Sequence, residues 1–132
     1  MNKIAAVIEE IKSKGEFTIV KLKRFEDSFT SLILQNGYLL PFLKKDNRVW
    51  MVFKESEVSI AKGECKISLQ NRFFCKITHI EYDDILAMIT LDYKKERVRS
   101  LITYNALREL DLKVGDEVFA FVKSNELAIM EL

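Results

Sequence analysis

The chain has 132 residues, with 21 Lys and Arg against 20 Asp and Glu, and 48% of it is hydrophobic, including nine Phe and one Trp. That apolar content excludes a disordered chain, and four Gly with a single Pro leave no room for a long flexible linker. Residues 1–63 carry 11 Lys/Arg against 8 Asp/Glu and residues 64–132 carry 10 against 12, a balance that argues against the one-sided basic surface on which nucleic-acid affinity depends.

In chain order, the opening Met-Asn-Lys-Ile-Ala-Ala-Val-Ile-Glu-Glu reaches acidic residues too soon for a signal-peptide core. No apolar run approaches the roughly 18 residues that cross a membrane. With Cys65 and Cys75 as the only cysteines, a reduced, cytoplasmic protein is expected. Ser13-Lys14-Gly15 is the first turn signal, and Asn36-Gly37 with Pro41 makes any helix there short or absent. Residues 49–53, Val-Trp-Met-Val-Phe, are apolar at every position, as are residues 118–122, Val-Phe-Ala-Phe-Val. A strand in a small barrel has one apolar face, so both faces are expected to be covered, by the other half of the chain or by another subunit. Residues 61–67 form the one connecting segment. Tyr82-Asp83-Asp84 signals a turn, after which Ile85, Ala87, Ile89, Leu91 and Tyr93 alternate as a strand does. Residues 98–103 read as the next strand and 104–110 as a short helix capped by Thr103 or Asn105, with Gly115 in the turn beyond. Residues 117–123 and 126–130 are expected to close the unit as a hairpin.

The two halves are one pattern written twice. A displacement of 69 residues aligns them without a gap and gives 14 identities in 63 pairs, among them Asn2/Asn71, Ser31/Ser100, Asn36/Asn105, Lys54/Lys123 and Ile60/Ile129. A unit of about 60 residues buries too little apolar surface to be comfortably stable, so the copies are expected to share a core or to oligomerise. The predicted fold is all-β with one or two short helices: two tandem five-stranded modules, residues 1–63 and 64–132, each a partly open barrel of the oligonucleotide/oligosaccharide-binding kind.

The second copy resembles a known module. Ser68-Leu69-Gln70-Asn71-Arg72-Phe73 is similar to the Ser-Ala-Arg-Asn-x-Leu opening of the molybdate-binding Mop or TOBE domains. Residues 110–118, Leu-Asp-Leu-Lys-Val-Gly-Asp-Glu-Val, resemble that family's Leu-Gly-Leu-Lys-x-Gly-Asp-Glu-Val stretch, and Val122-Lys123-Ser124 its Val-Lys-Ser segment. No nucleotide-binding loop accompanies the module, so the chain resembles a stand-alone tandem molbindin. The resemblance implies a tandem Mop fold that binds molybdate or tungstate as a bare oxyanion, for storage, buffering or sensing, in a homo-oligomer. A trimer is favoured over a dimer. It implies Ser68, Gln70, Asn71, Thr103, Lys123 and Ser124 as oxyanion-binding residues, with Lys54 and Ser56 as first-copy counterparts. Physically this set suits a tetrahedral dianion: neutral N–H and O–H donors with one cation, and a helix N-terminus beside Thr103. Four departures weaken it. Gln70 replaces the family's Arg and Cys75 a usual Gly, while in the first copy Leu34 replaces the Ser/Thr and Glu55 stands where Ser or Ala is usual, a carboxylate beside the site that would repel the ligand.

The remaining constellations support little chemistry. Cys75 and His79, four apart on a strand, lie about 13 Å apart and cannot share a metal ion. His79 is the one histidine, with no nucleophile elbow to serve it, so no enzyme is expected. The alternative is single-stranded nucleic-acid binding through Lys21, Lys23, Arg24 and Phe25, or Lys94, Lys95, Arg97 and Arg99. The acidic Glu26, Asp27 and Glu96 among them suit ordinary solvated strand ends better. A third reading is a degenerate module serving only in assembly or in regulation of a transporter.

Overall fold

Strand-forming sequence recurs with the 69-residue period, and the strands follow it. A computed structural model describes residues 1–35 and 40–132. Its elements are β1 (Asn2–Lys14), β2 (Phe17–Arg24), β3 (Asp27–Ile33), β4 (Arg48–Phe53), β5 (Ser59–Ala61), β6 (Asn71–Tyr82), β7 (Leu86–Tyr93), β8 (Glu96–Thr103), α1 (Tyr104–Glu109), β9 (Glu117–Val122) and β10 (Ala128–Glu131). A 3₁₀ turn over Glu55–Glu57 precedes β5. Even the irregularities repeat: β1 shifts register between Ile8 and Glu10 where it meets β2, and β6 between Ile77 and His79 where it meets β7. Left-handed backbone also recurs in pairs. Phe25 (φ 51°) matches Lys94 (φ 46°), and Asp46 (φ 72°) occupies the place of Gly115 (φ 97°), a conformation Asp tolerates through its short polar side chain.

The predicted alternation holds on β7, where Ala87, Ile89, Leu91 and Tyr93 are buried. The predicted short helix is α1, and Thr103 caps it by accepting the Ala106 N–H at 3.0 Å. The expectation of a short or absent helix in the first copy falls partly on residues 36–39, outside the described residues.

The closing hairpin does not form. The sheets run β10-β4-β1-β2-β3 and β5-β9-β6-β7-β8, so each takes one edge strand from the other half of the chain. β10 pairs with β4, Ala128 opposite Val52, while β5 pairs with β9, Ser59 opposite Phe121. Alternating pattern and turn residues are indifferent to this exchange, since they fix which face of a strand is buried and not which strand it lies beside.

The exchange fuses the two halves around one core. Phe73 stacks on Phe29 at 4.8 Å and on Phe53 at 5.4 Å, and meets Tyr93 edge-on at 5.0 Å. Two of these rings come from each half, and all four are buried. Such pairs add about 0.5–1.5 kcal/mol each beyond the area they bury. The apolar runs on β4 and β9 are covered as expected: Val52 is 9% and Phe121 2% exposed. Their half-buried neighbours Trp50 and Phe119 lie under the Lys3 ammonium (4.5 Å) and the Arg72 guanidinium (5.2 Å).

Candidate functional site

β3 and β8 lie at the outer edges of the two sheets, and their backbone groups need partners. The partners are side chains from the opposite half. Asn71, at the start of β6, accepts the Thr30 N–H at 2.7 Å and donates to the Thr30 carbonyl at 2.9 Å. Asn2 does the same for Arg99, at 2.8 and 2.9 Å. Ser31 donates its hydroxyl to the Leu127 carbonyl at 2.5 Å, and Ser100 to the Val58 carbonyl at 2.7 Å. All four side chains are buried, Asn71 completely. These are latches between halves, related by the repeat. The repeat displays their signal, since Asn2/Asn71 and Ser31/Ser100 are polar identities among apolar positions. Sequence reasoning singled out only Asn71.

The latches define two seams. At one, Asn71 opens β6 just after Gln70 and pairs with Val122 at the end of β9, and Lys123-Ser124 follow directly. Ser124 gives its carbonyl to the Leu32 N–H at 2.9 Å, which fixes this turn on the edge of β3. Gln70 and Lys123 are exposed, Ser124 is half-buried, and Ser68 lies exposed two residues ahead of Gln70. Backbone pairing thus brings the segments that bear an ammonium, an amide and hydroxyls to one strand edge. The carboxylate on the neighbouring β3 turn, Asp27, is already bound by Lys94 at 2.8 Å and by the Tyr93 hydroxyl at 2.5 Å. Burial pushes Asp27 upward, but those two partners outweigh it and hold its carboxyl below the usual range. It stays a neutralised anion.

At the other seam, Thr103 shares a cleft of about 360 Å³ with Ser56, Ser59 and the apolar Val58, Ile60 and Leu101. Thr103 is therefore set beside the first-copy counterpart Ser56, because strand exchange brings the 3₁₀ turn of the first half onto β8. Its oxygen caps α1, which leaves its O–H proton as a donor. Lys54 is exposed at the head of the 3₁₀ turn, where its N–H donates to Glu57 at 3.0 Å. Next to it, Met1, Lys3, Glu55, Arg97 and Arg99 line a second cavity of about 330 Å³, a cluster that sequence reasoning missed.

Comparison with known proteins follows this geometry. The model of the TOBE domain matches residues 67–129. A molybdate-binding protein from Sporomusa ovata is 33% identical to the chain, which covers 100% of it with 51% of its own length, at a TM-score of 0.50. The chain belongs to the TOBE-domain family. A second solved structure, the cytoplasmic molybdate-binding protein ModG with molybdate bound, superposes at a TM-score of 0.91 with 20% identity, over 99% of this chain and 96% of that one. The TOBE fold therefore runs through both halves, as a tandem Mop arrangement. No curated protein sequence matches the chain.

The other groups of this TOBE-family chain are spent on structure. Arg24 donates to the Ala5 carbonyl at 3.1 Å and to Glu96 at 3.2 Å, Lys94 holds Asp27, and Lys21 lies 3.7 Å from Glu10. Of the basic clusters considered for nucleic acid, Lys21, Arg24 and Lys94 are thus paired with carboxylates, the last two across the seam. His79 is exposed beside Glu81 at 3.1 Å, and burial pushes the Cys75 thiol up to about 12. Among the described residues, no group of three His, Cys, Asp or Glu is placed to hold a metal ion, and no helix is long and apolar enough to cross a membrane.

Proposed function

We propose that the chain binds molybdate or tungstate as a bare oxyanion in the cytoplasm, for storage, buffering or sensing, and does so as a binding protein rather than an enzyme. The observation that carries this reading is the seam where Gln70, Lys123 and Ser124 meet the edge of β3. In this reading their donors face one ligand there, with the neighbouring Asp27 already neutralised, which suits a tetrahedral dianion. Membership of the TOBE family supports it, as does the fold shared with ModG, whose structure holds molybdate. In this reading Ser68, Gln70, Lys123 and Ser124 donate to the ligand, and Asn71 positions them by fixing β6 to β3. Thr103 and Ser56, with Lys54 nearby, form a weaker second set in a cleft of their own, apart from the Glu55 cavity.

The ligand-binding units are residues 1–63 and 64–132, joined by exchange of β5 and β10, and the working form is a homo-oligomer, with a trimer favoured over a dimer. The exposed Phe17 and Ile19 on β2 and Leu86 on β7 support further assembly, since apolar residues grouped on a sheet face seek cover.

Titration calorimetry with molybdate, tungstate and sulfate tests the reading. Saturable heats from the first two and little from sulfate are expected, and the Lys123→Ala, Ser124→Ala double variant should weaken them by 10-fold or more, about 1.4 kcal/mol or above, without unfolding the protein. Silence from all three anions would end the proposal.

A further inference from the structure

The cavity at the first-half seam is the repeat of the ligand seam with one decisive exchange. Met1, Lys3 and Glu55 stand where Gln70, Arg72 and Ser124 stand in the second half. Asn2 latches Arg99 as Asn71 latches Thr30, so the backbone frame is the same. The lining differs in charge. Lys3, Arg97 and Arg99 face a cavity of about 330 Å³ together with Glu55 and Glu96. Glu96 is committed to Arg24 at 3.2 Å. Glu55 is three-quarters buried and reaches the Met1 amine at 2.8 Å.

We infer that the Glu55 carboxylate is the built-in anion of this seam: it takes up the Met1 amine, offsets part of the surrounding positive charge and stands where Ser124 stands at the other seam, so that external tetrahedral oxyanions are repelled from the cavity. Three observations support this. The cavity is framed by Lys3, Arg97 and Arg99, of whose counterparts in the repeat, Arg72, Ser28 and Thr30, only Arg72 is cationic, and such a surrounding is what an oxyanion would seek. The carboxylate that fills the role comes from the same position in the turn as Ser124, so no rearrangement of the backbone is needed to place it. And the carboxyl is held below its ordinary range, first by the hydrogen bond from the Met1 amine and then by its own backbone N–H, with Arg99 adding a smaller attraction, so it is an anion at neutral pH. The two seams of one chain are thereby made unequal, one open to a ligand from solution and one carrying its own. As a statement about oxyanion stoichiometry this rests on the function proposed above. As a statement about the cavity it does not.

Glu55→Ser and the milder Glu55→Gln, which keeps the shape and removes the charge, separate the two. Melting temperatures are read with increasing molybdate and, separately, sulfate, alongside calorimetric stoichiometry for molybdate. Either variant should acquire an anion-dependent rise in melting temperature beyond that of the parent protein. Glu55→Ser should bind about one further equivalent of molybdate per chain, and should keep that equivalent when Lys123→Ala and Ser124→Ala are added. If the parent binds no molybdate but the Glu55 variants still gain an anion response, the function proposed above fails and this inference stands. Folded Glu55 variants with the parent's stoichiometry and the parent's anion response would overturn the inference while leaving the function intact.

Discussion

Replacing Asn71 with Ala tests whether the halves are held by side-chain latches. The Asn71 side chain is fully buried and makes two hydrogen bonds to the peptide groups of one residue, Thr30, on the exposed edge of β3. Alanine leaves the Thr30 N–H and carbonyl without those partners. Each orphaned group costs about 1–3 kcal/mol when fully buried, and Thr30 is only half-buried, so the pair should cost about 2–4 kcal/mol. Unfolding entropy near 2.1 cal/mol/K per residue gives about 0.28 kcal/mol/K for a chain of this length. The melting temperature should then fall by about 7–14 °C, read by circular dichroism at fixed protein concentration. Asn2→Ala, which strips Arg99 of the matching pair, should cost a similar amount. If Asn71→Ala melts within about 2 °C of the parent, the latch contributes nothing and the argument from orphaned edge groups is wrong.

Phe73→Ala removes the ring between Phe29 and Phe53 and should cost about 3–5 kcal/mol; denaturant melts should show one transition for both halves, because the rings belong to one core. Asp27 supplies a pH test. Its carboxyl is held below the unfolded value, so its contribution is complete above about pH 4 and disappears as pH falls through the lowered folded value. Stability measured from pH 6 down to pH 2 should fall in that window, and Asp27→Asn should flatten the fall. The two thiols should divide cleanly: Cys65, exposed, reacts with an aromatic disulfide reagent in the native protein, whereas Cys75, buried with its thiol pushed up to about 12, reacts only on unfolding.

Much of the architecture was legible in the residues because strands and turns are local signals. The Ala87-to-Tyr93 alternation, the Thr103 cap and the left-handed Gly115 each follow from side-chain chemistry within a few positions, whereas Ile85, expected to begin the alternation, lies before the strand and is exposed. The partner of a strand is not a local property. Residues 126–130 look alike whether they fold back on β9 or cross to β4, and contacts distant in sequence, such as those of Ser31 and Ser100 with Leu127 and Val58, accompany the crossing. The same crossing hid the grouping of the candidate donors, placing Thr103 with Ser56 and Ser124 with Leu32. The Glu55 cavity escaped for a related reason: Arg97 and Arg99 read as strand-end charges until the fold brings the turn of the other half beside them.

Exchange of β5 and β10 also sets a timetable for synthesis. The outer edge of β4 is completed by residues 128–131, nearly 80 positions downstream of it. A nascent first half leaving the ribosome therefore carries an open, apolar strand border until residues 128–131 have emerged. Contacts this distant in sequence make folding slow and favour pairing with a neighbouring nascent chain while the border stays open. Crowded polysomes would thus be the setting in which this protein is most prone to assemble wrongly.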